Sequence, residues 1–366
     1  MTPADFEALG LWDPAAPDAA ERLAVLGYLV ELGATADDLR ASAGDLPGLG
    51  YALVMRDPGP RWTRAELAEH AGVPEAFVTE FRRAAGFADP GPEERIYGPA
   101  WVDVVHTIRA AEMLFGHEAV VHLTRVVGAA LAKIADATVS AFHVNIGATL
   151  ADTPLLERAR ANAATATLMP GVVRAIDVLL RQHMLAARRP PDVGSQDGWT
   201  QRLAIGFVDL VGSTALAQEL TVHELNGVLA DFEQTASDLV TRHGGRVVKL
   251  IGDEVMFAFA DPAAACEVML RLVEEVPQHD GLPPVRGGLA RGDVLSRDGD
   301  HYGSVVNLAA RLVKLARPGT ALVSQDMADR LPPAYRAVEI QVRRLRGFEG
   351  RQRLYALRRA TAHEPS

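Results

Sequence analysis

A change of pattern at residues 186–200 constrains the fold of this chain more than any other feature. The segment, AARRPPDVGSQDGWT, places two prolines and two glycines among polar residues, a composition that interrupts helical periodicity. Before it, the apolar pattern is helical almost throughout. After it, short β-type runs alternate with helical runs. The pattern predicts an all-α domain followed by an α+β domain.

The chain has 366 residues, enough for two separate hydrophobic cores. We place a helical domain at 1–185, a linker at 186–200, a second domain at 201–358 and a tail at 359–366. One apolar stripe in the first domain recurs at spacings of three and four, on a predicted helix of about seven turns. Its members are Val120, Leu123, Val127, Leu131 and Ile134. The single cysteine, Cys266, lies in the apolar pattern AAACEVML, which is typical of a small buried hydrophobe.

Composition limits the location and the partners. No charge-free run reaches the length of a membrane span, since residues 137–151 are interrupted by Ser140, His143 and Asn145. The N-terminus also lacks the pattern of a signal peptide. We therefore expect a cytoplasmic protein without a membrane partner. The net charge is −10, and residues 1–199 hold 17 Lys and Arg against 26 Asp and Glu, which argues against a nucleic-acid partner.

The segment GFVDLVGST, residues 206–214, carries the first candidate site. An apolar strand ends at Asp209, and Gly212, Ser213 and Thr214 then open a helix. The free N–H groups of a helix start suit a phosphate, and one carboxylate beside it suits Mg²⁺. The alternative interpretation is a simple helix cap.

The segment VVKLIGDEVMFAF carries the second candidate site. Two apolar β runs meet at Gly252 and Asp253, which predicts a hairpin with Asp253 at its tip. Two carboxylates, Asp209 and Asp253, would there share two metal ions, although Asp253 is also a common turn former. Strand alternation predicts Lys249 on the face of Val247 and Ile251, where an unpaired charge is unfavourable.

The segment DHYGSVVNLAARL carries the third candidate site. Gly303 and Ser304 precede a predicted helix on which Asn307 and Arg311, four residues apart, share one face. An amide and a guanidinium side by side suit a phosphate or a ribose. A solvent-facing polar stripe is the alternative.

These residues resemble, in order and in local spacing, the catalytic domain of the class III nucleotide cyclases, over about residues 200–358. The matching residues are Asp209 in FVDLVGST, Lys249 and Asp253 in KLIGDE, and Asp300, Asn307 and Arg311 in DHYGSVVNLAAR. The resemblance implies a ferredoxin-like βαββαβ core in a head-to-tail homodimer with two composite active sites. It implies that Asp209 and Asp253 of one protomer hold two Mg²⁺ or Mn²⁺ ions, and that Lys249, Asp300, Asn307 and Arg311 come from the other protomer.

The resemblance also implies the reaction, in which the 3′-hydroxyl of ATP attacks its own α-phosphorus and pyrophosphate leaves. Arg311 would stabilise the α-phosphoryl charge, Asn307 would orient the ribose, and Arg346 in the closing LRGFEG stretch would lie near the triphosphate. A lysine donor with an aspartate acceptor fits adenine better than guanine, so Lys249 and Asp300 favour ATP. A guanylyl cyclase and a catalytically silent nucleotide sensor are the alternatives.

Residues 62–87 of the front domain resemble a helix-turn-helix, with a capping box from Thr63 to Glu66 and a turn at Gly72. A DNA-binding regulator with a nucleotide-sensing cyclase-like domain would use Arg82 and Arg83. The acidic surroundings favour a packing unit inside a regulatory domain.

Six histidines lie before residue 190, and histidine changes charge between about pH 5 and 8. They are His70, His106, His117, His122, His143 and His183. The layout of a helical front domain, a linker and a cyclase resembles the soluble, pH-responsive, autoinhibited cyclases of mycobacteria and related actinobacteria. We therefore expect the front domain to regulate the second, with pH as a candidate signal, although any single histidine has an ordinary structural explanation.

Overall fold

The computed structural model describes residues 1–142, 150, 153–187, 200–278, 281–345, 347–348 and 350–360. By its internal contacts the chain divides into two units, Met1–Arg188 and Arg189–Ser366. Most of the expected linker, the end of the expected tail, His143 and Arg346 lie outside the described residues.

The first unit is helical, as expected. Its helices are α1 (Pro3–Ala8), α2 (Ala19–Glu31), α3 (Ala36–Ala41), α4 (Leu46–Val54), α5 (Arg64–Ala71), α6 (Glu75–Ala84), α7 (Ala100–Phe115), α8 (His117–Phe142), α9 (Leu155–Ala166) and α10 (Met169–Ala187). The expected capping box of α5 is present, since Thr63 and Glu66 satisfy each other's backbone amides. Gly72 ends that helix with φ at +63°, the left-handed conformation that glycine adopts without strain.

Close helix contacts build the core of this unit. Helix α9 packs against α4 so tightly that a Cβ added to Gly50 would lie 2.8 Å from the Ala159 carbonyl oxygen. Ala159 and Ala163 are buried at this contact. The smallest residues are therefore at the position where the two helix backbones meet.

The long helix α8 confirms the prediction of about seven helical turns, but within the described part of the chain most of its apolar stripe is exposed. Val120 is buried, whereas Leu123, Val127, Leu131 and Ile134 are 41–53% exposed. Within the described residues, one helical stretch, Leu155–Ala187, is long and apolar enough to cross a membrane, and 11% of its most apolar window is buried. The sequence pattern did not single out this stretch, which comprises α9 and the mostly exposed α10.

The second unit is an α+β sandwich. Its strands are β1 (Thr200–Leu210), β2 (Arg246–Ile251), β3 (Glu254–Phe259), β4 (Val285–Arg297), β5 (Asp300–Tyr302), β6 (Ala321–Val323), β7 (Tyr335–Arg343) and β8 (Gln352–Arg359). Its helices are α11 (Ser213–Glu219), α12 (Val222–Arg242), α13 (Pro262–Glu275), α14 (Ser304–Leu315) and α15 (Gln325–Ala328), with a 3₁₀ turn at Val276–Gln278.

The sheet order is β2-β3-β1-β4-β6-β8-β7, with β5 paired to β4. The first four strands and the helices between them form the expected ferredoxin-like βαββαβ core. Helices α12 and α13 pack on one face with Phe232, Cys266 and Met269 buried, so the interpretation of Cys266 as a core residue is confirmed. Helix α14 packs on the other face with Ala309, Leu312 and Val313 buried.

One expectation about strand β2 is wrong. A register shift between Val247 and Lys249 pairs Val247 with Phe257 and Lys249 with Met256. Because Phe257 and Met256 belong to opposite faces of the sheet, Val247 and Lys249 also face opposite sides. Strict alternation predicts Val247 and Lys249 on one face of the sheet. One extra residue in the strand puts them on opposite faces instead.

Candidate active site

Three charged side chains form a row across the C-terminal end of β1. Asp209 pairs in register with Glu254 of β3 on one side and with Arg286 of β4 on the other. Because paired residues of antiparallel strands point to one face, all three lie on the face that α14 covers. Asp209 and Glu254 are 1% and 8% exposed. Two neighbouring buried carboxylates require cations close by.

Two cations contact Asp209. Arg286 donates from Nε and Nη2 to Asp209 Oδ2, at 2.8 and 2.6 Å. Lys314 of α14 donates from Nζ to Asp209 Oδ1 at 3.3 Å and to Glu254 Oε2 at 2.5 Å. Partial burial lowers the pKa of the Lys314 ammonium, but its hydrogen bonds and charge interactions with Glu254 and Asp209 raise this pKa overall. Lys314 is therefore a cation held between two carboxylates.

Asp253 lies at the tip of the β2–β3 hairpin, beside the end of β1. Its backbone oxygen accepts a hydrogen bond from the Leu210 amide at 3.1 Å, and its carboxylate accepts one from the Ser213 hydroxyl. Gly252 has φ at +63°, which this tight turn requires. The hairpin therefore brings Asp253 next to the residue that follows Asp209.

The start of α11 adjoins this carboxylate. Helix α11 begins at Ser213, with Gly212 as its N-cap residue at φ +81°. The structure thus places Gly212, Ser213 and Thr214 at a helix start beside Asp253, as the sequence predicted. Arg346 lies outside the described residues.

Lys249 and Asp300 form an ion pair of 2.6 Å between Nζ and Oδ2. Burial raises the pKa of the Asp300 carboxyl, but hydrogen bonds from Lys249 and from the His301 backbone amide lower it overall. The pair joins the edge strand β2 to β5. It therefore holds a cationic donor and an anionic acceptor together within one chain.

Asn307 and Arg311 lie one turn apart on α14, and both are exposed. Among the described residues, neither side chain has a hydrogen-bonding or ionic partner. Lys314 follows Arg311 by three residues, so Asn307, Arg311 and Lys314 follow one side of the helix. Of these three residues, only Lys314 contacts the Asp209 row of its own chain.

The sequence pattern missed Arg286, Glu254 and Lys314. A signal existed for Glu254, which follows Asp253 directly, and for Arg286, a charge within the apolar run VRGGLA. Lys314 gave none, because it lies 60 residues from Glu254 and 105 from Asp209. The packing of α14 over the sheet brings Lys314 to these two carboxylates.

In the helical unit, the two arginines of the DNA-binding interpretation are engaged locally. Arg82 donates to the Ala88 carbonyl at 2.9 Å and lies over the Phe87 ring. Arg83 pairs with Asp89. Their guanidinium groups thus stabilise the segment that follows α6.

Among the described residues, His117 is a histidine with two carboxylates beside its ring. Its Nδ1 lies 2.7 Å from Glu112 of α7, and its Nε2 lies 3.2 Å from Glu80 of α6. The hydrogen bond to Glu112 raises the pKa of His117, with Glu80 adding to the effect. The imidazole therefore links three helices when it is protonated.

Asp209 and Asp253 provide the hard oxygen ligands that Mg²⁺ and Mn²⁺ prefer. Within the part of the chain that the structure describes, no group of three or more His, Cys, Asp or Glu side chains is arranged to hold a metal ion. Two carboxylates fit a metal that takes its remaining ligands from substrate phosphates and water. The donor set therefore fits these ions, with the Lys314 ammonium at one oxygen of Asp209.

Two family models match this chain. Residues 6–192 match the adenylate cyclase regulatory domain. Residues 196–359 match the adenylate and guanylate cyclase catalytic domain. Together the two models span both units.

Three bacterial proteins are similar over most of their length. Uncharacterized protein Rv2212 of Mycobacterium tuberculosis is 35% identical, over 90% of this chain and 88% of that protein. The adenylate cyclase of Streptomyces coelicolor is 34% identical, over 74% of this chain and 72% of that protein. The pH-sensitive adenylate cyclase MT1302 of Mycobacterium tuberculosis is 31% identical, over 95% of this chain and 90% of that protein.

Proposed function

The chain belongs to the class III adenylate cyclases that carry an adenylate cyclase regulatory domain, and from this premise we propose that two copies build two shared active sites. The enzyme makes cyclic AMP from ATP. In each proposed site, one protomer supplies Asp209 and Asp253, and its partner supplies Lys249, Asp300, Asn307 and Arg311. The observation that carries this proposal is that Asn307 and Arg311 are exposed and, among the described residues, have no side-chain partner in their own chain.

The ion pair of Lys249 with Asp300 supports ATP as the substrate. Adenine offers a ring-nitrogen acceptor and an amino donor on adjacent positions, and guanine reverses them. The Lys249 ammonium donates and the Asp300 carboxylate accepts, which matches adenine. Because each group already holds the other in place, little side-chain entropy is lost when the base binds.

Two Mg²⁺ or Mn²⁺ ions bound by Asp209 and Asp253 would activate the 3′-hydroxyl and neutralise the leaving pyrophosphate. The protein side chains contribute by positioning the substrate and by stabilising charge. Arg286 holds the Asp209 carboxylate in place through its two hydrogen bonds. Arg311 stabilises charge on the α-phosphoryl group, and Asn307 orients the ribose.

The start of α11 gives the phosphates a second set of donors. Helix starts leave backbone N–H groups without helical partners, and Gly212, Ser213 and Thr214 present theirs beside Asp253. Arg346, near the end of the catalytic domain, is proposed to approach the triphosphate.

Exposed apolar side chains support the homodimer. Around the Lys249–Asp300 pair, Leu250, Ile251, Leu295 and Tyr302 are 43–49% exposed. A second copy that covers these residues would also bring its own Asp209 and Asp253 toward the ion pair. The unpartnered Asn307 and Arg311 would then meet substrate held by the other protomer.

The helical unit is proposed to inhibit the catalytic domain and to release it in response to pH. Each shared site needs residues from two protomers, so a small rotation between catalytic domains separates Asp209 from Arg311 and stops the reaction. The expected linker enters β1, the strand that carries Asp209. His117, held between Glu112 and Glu80, is the favoured pH-sensing group of the described histidines.

The enzyme is proposed to act in the cytoplasm. The apolar stretch Leu155–Ala187 includes α9, whose alanines pack against α4 of the same unit. The exposed side of α10 then suits a protein contact in the dimer.

Detection of cyclic AMP from ATP with Mn²⁺ or Mg²⁺ tests the proposal. Asp209→Ala is expected to lower kcat at least about a hundredfold, because one of only two protein metal ligands is lost. Asp329→Ala, an exposed aspartate on a loop, is the matched control and should keep full activity. Equal cyclic AMP production by Asp209→Ala and wild type would contradict the metal assignment. A preference for GTP would contradict the role of Lys249 and Asp300.

A further inference from the structure

Cations of the same chain already contact the Asp209 carboxylate. Both of its oxygens already contact cations, Oδ2 with Arg286 and Oδ1 with Lys314. Its side chain is 2% exposed, whereas that of Lys314 is 53% exposed. Lys314 therefore reaches the buried carboxylate from the solvent side, the side from which a metal ion would enter.

We propose that the Lys314 ammonium is an internal counter-cation, which occupies the metal position at Asp209 until a divalent ion displaces it. The inference rests on the proposed role of Asp209 as a metal ligand. It assigns to Lys314 a function as a positioning residue that sets how strongly the site binds metal.

The charges of the row favour this assignment. Asp209 and Glu254 are neighbours across β1 and β3, and like charges directly opposite repel each other. Lys314 contacts both, at 3.3 and 2.5 Å, and with Arg286 it makes the four-residue group neutral. Without the lysine, the group carries a net negative charge in a mostly buried position.

Glu254 retains Lys314 rather than serving as a third metal ligand. Its contact with Lys314 is shorter than the contact between Lys314 and Asp209. A metal ion bound by Asp209 would displace the Lys314 ammonium from the carboxylates toward the solvent.

A divalent ion bound at Asp209 therefore competes with the lysine, and metal alone binds weakly. A metal ion that arrives with ATP brings phosphate charges that compensate for both cations. The arrangement thus favours binding of the metal–nucleotide complex over binding of free metal.

Lysine labelling tests the displacement directly, because the chain has three lysines, Lys133, Lys249 and Lys314. The full-length protein is treated with an amine-reactive reagent with and without Mn²⁺, and each lysine is quantified by mass spectrometry. We expect Mn²⁺ to increase the labelling of Lys314 severalfold and to leave the exposed Lys133 unchanged. Labelling of Lys314 that is unchanged or reduced by Mn²⁺ would overturn the proposal.

Binding of Mn²⁺ without nucleotide, measured by electron paramagnetic resonance, gives a second readout. Lys314→Met should bind Mn²⁺ about tenfold more tightly than wild type, which corresponds to about 1.4 kcal/mol. Lys314→Arg keeps the cation and should bind like wild type, as should Arg317→Met, which removes an exposed charge just beyond α14. Equal affinity of Lys314→Met and wild type would refute the inference.

Two further variants show whether a negative result contradicts the metal assignment or only the role of Lys314. If Lys314→Met does not fold, Lys314→Met with Glu254→Gln removes one charge of each sign, and the same tenfold gain is expected. Asp209→Asn should lose Mn²⁺ binding. If Asp209→Asn binds Mn²⁺ like wild type, the metal assignment in the proposed function is wrong. If it loses binding while Lys314→Met and the double variant both match wild type, only the counter-cation role is wrong.

Discussion

At the residue scale, Asp209 combines deep burial with a full set of ionic partners. An isolated carboxylate at 1% exposure would be strongly unfavourable, and Arg286 and Lys314 remove that penalty. By the proposal above, one of these partners, Lys314, also competes with a metal ion for the carboxylate. The groups that stabilise the fold at this position therefore also control its chemistry.

At the residue scale, His117 allows a prediction of how thermal stability depends on pH. Its pKa in the folded chain is raised by Glu112 and Glu80, so its stabilising effect is complete below the unfolded value of about 6.5 and is lost as pH rises through the raised value. His117→Gln should lower Tm at about pH 6, and this difference should shrink toward alkaline pH.

His183→Gln, which removes an exposed imidazole from helix α10, is the control. Thermal unfolding of the full chain between about pH 5.5 and 9 checks this. A Tm difference between wild type and His117→Gln that is independent of pH would rule out the titration of His117. If His117→Gln also shifts the pH profile of cyclic AMP production, that shift would support a regulatory role for His117.

At the element scale, α14 connects the two proposed halves of the chemistry. Asn307 and Arg311 on this helix face outward, whereas Lys314 contacts the Asp209 row of its own chain. The helix can lie this close to the sheet because Gly288 is beneath it. A Cβ at Gly288 would lie 2.3 Å from the Val313 nitrogen and 2.6 Å from the Ala309 oxygen, closer than any real contact.

Gly288→Ala should therefore push α14 away from the sheet. We expect a loss of about 1–3 kcal/mol in the free energy of unfolding, together with a loss of cyclic AMP production larger than the stability change explains. Gly227→Ala on α12, where an added Cβ meets nothing within 4 Å, should be neutral or slightly stabilising. Denaturant unfolding and activity assays of both variants check this, and a fully active Gly288→Ala would show that the position of α14 is not critical.

The elements show how much the sequence could predict. Local patterns located Asp209, Asp253, Asn307 and Arg311 on the correct strand, hairpin and helix, because strand alternation, turn residues and helix periodicity act over a few residues. The expectation that Lys249 shares a face with Val247 was wrong, because an extra residue in a strand leaves no local pattern. Lys314 was missed, because its partners are distant in sequence and its contact depends on helix packing.

At the scale of the whole molecule, exposed apolar surface remains on both units. Met113, Leu114 and Phe115 at the end of α7 are 63–85% exposed, and Leu179, Leu180, Met184 and Leu185 on α10 are 55–64% exposed. Exposed apolar clusters of this kind mark protein contacts. A homodimer that covers them in the helical unit, and Leu250 and Ile251 in the catalytic unit, would bring two copies together along the whole chain.

The shared active site is tested most directly by mixing two inactive full-length variants, Asp209→Ala and Arg311→Ala. Each variant alone lacks one component of both sites, so each should make almost no cyclic AMP. In a mixed dimer, one site combines the intact Asp209 of one chain with the intact Arg311 of the other. An equal mixture with random pairing should therefore recover about a quarter of wild-type activity. If native mass spectrometry shows mixed dimers and the mixture stays as inactive as its components, the two protomers do not share their active sites.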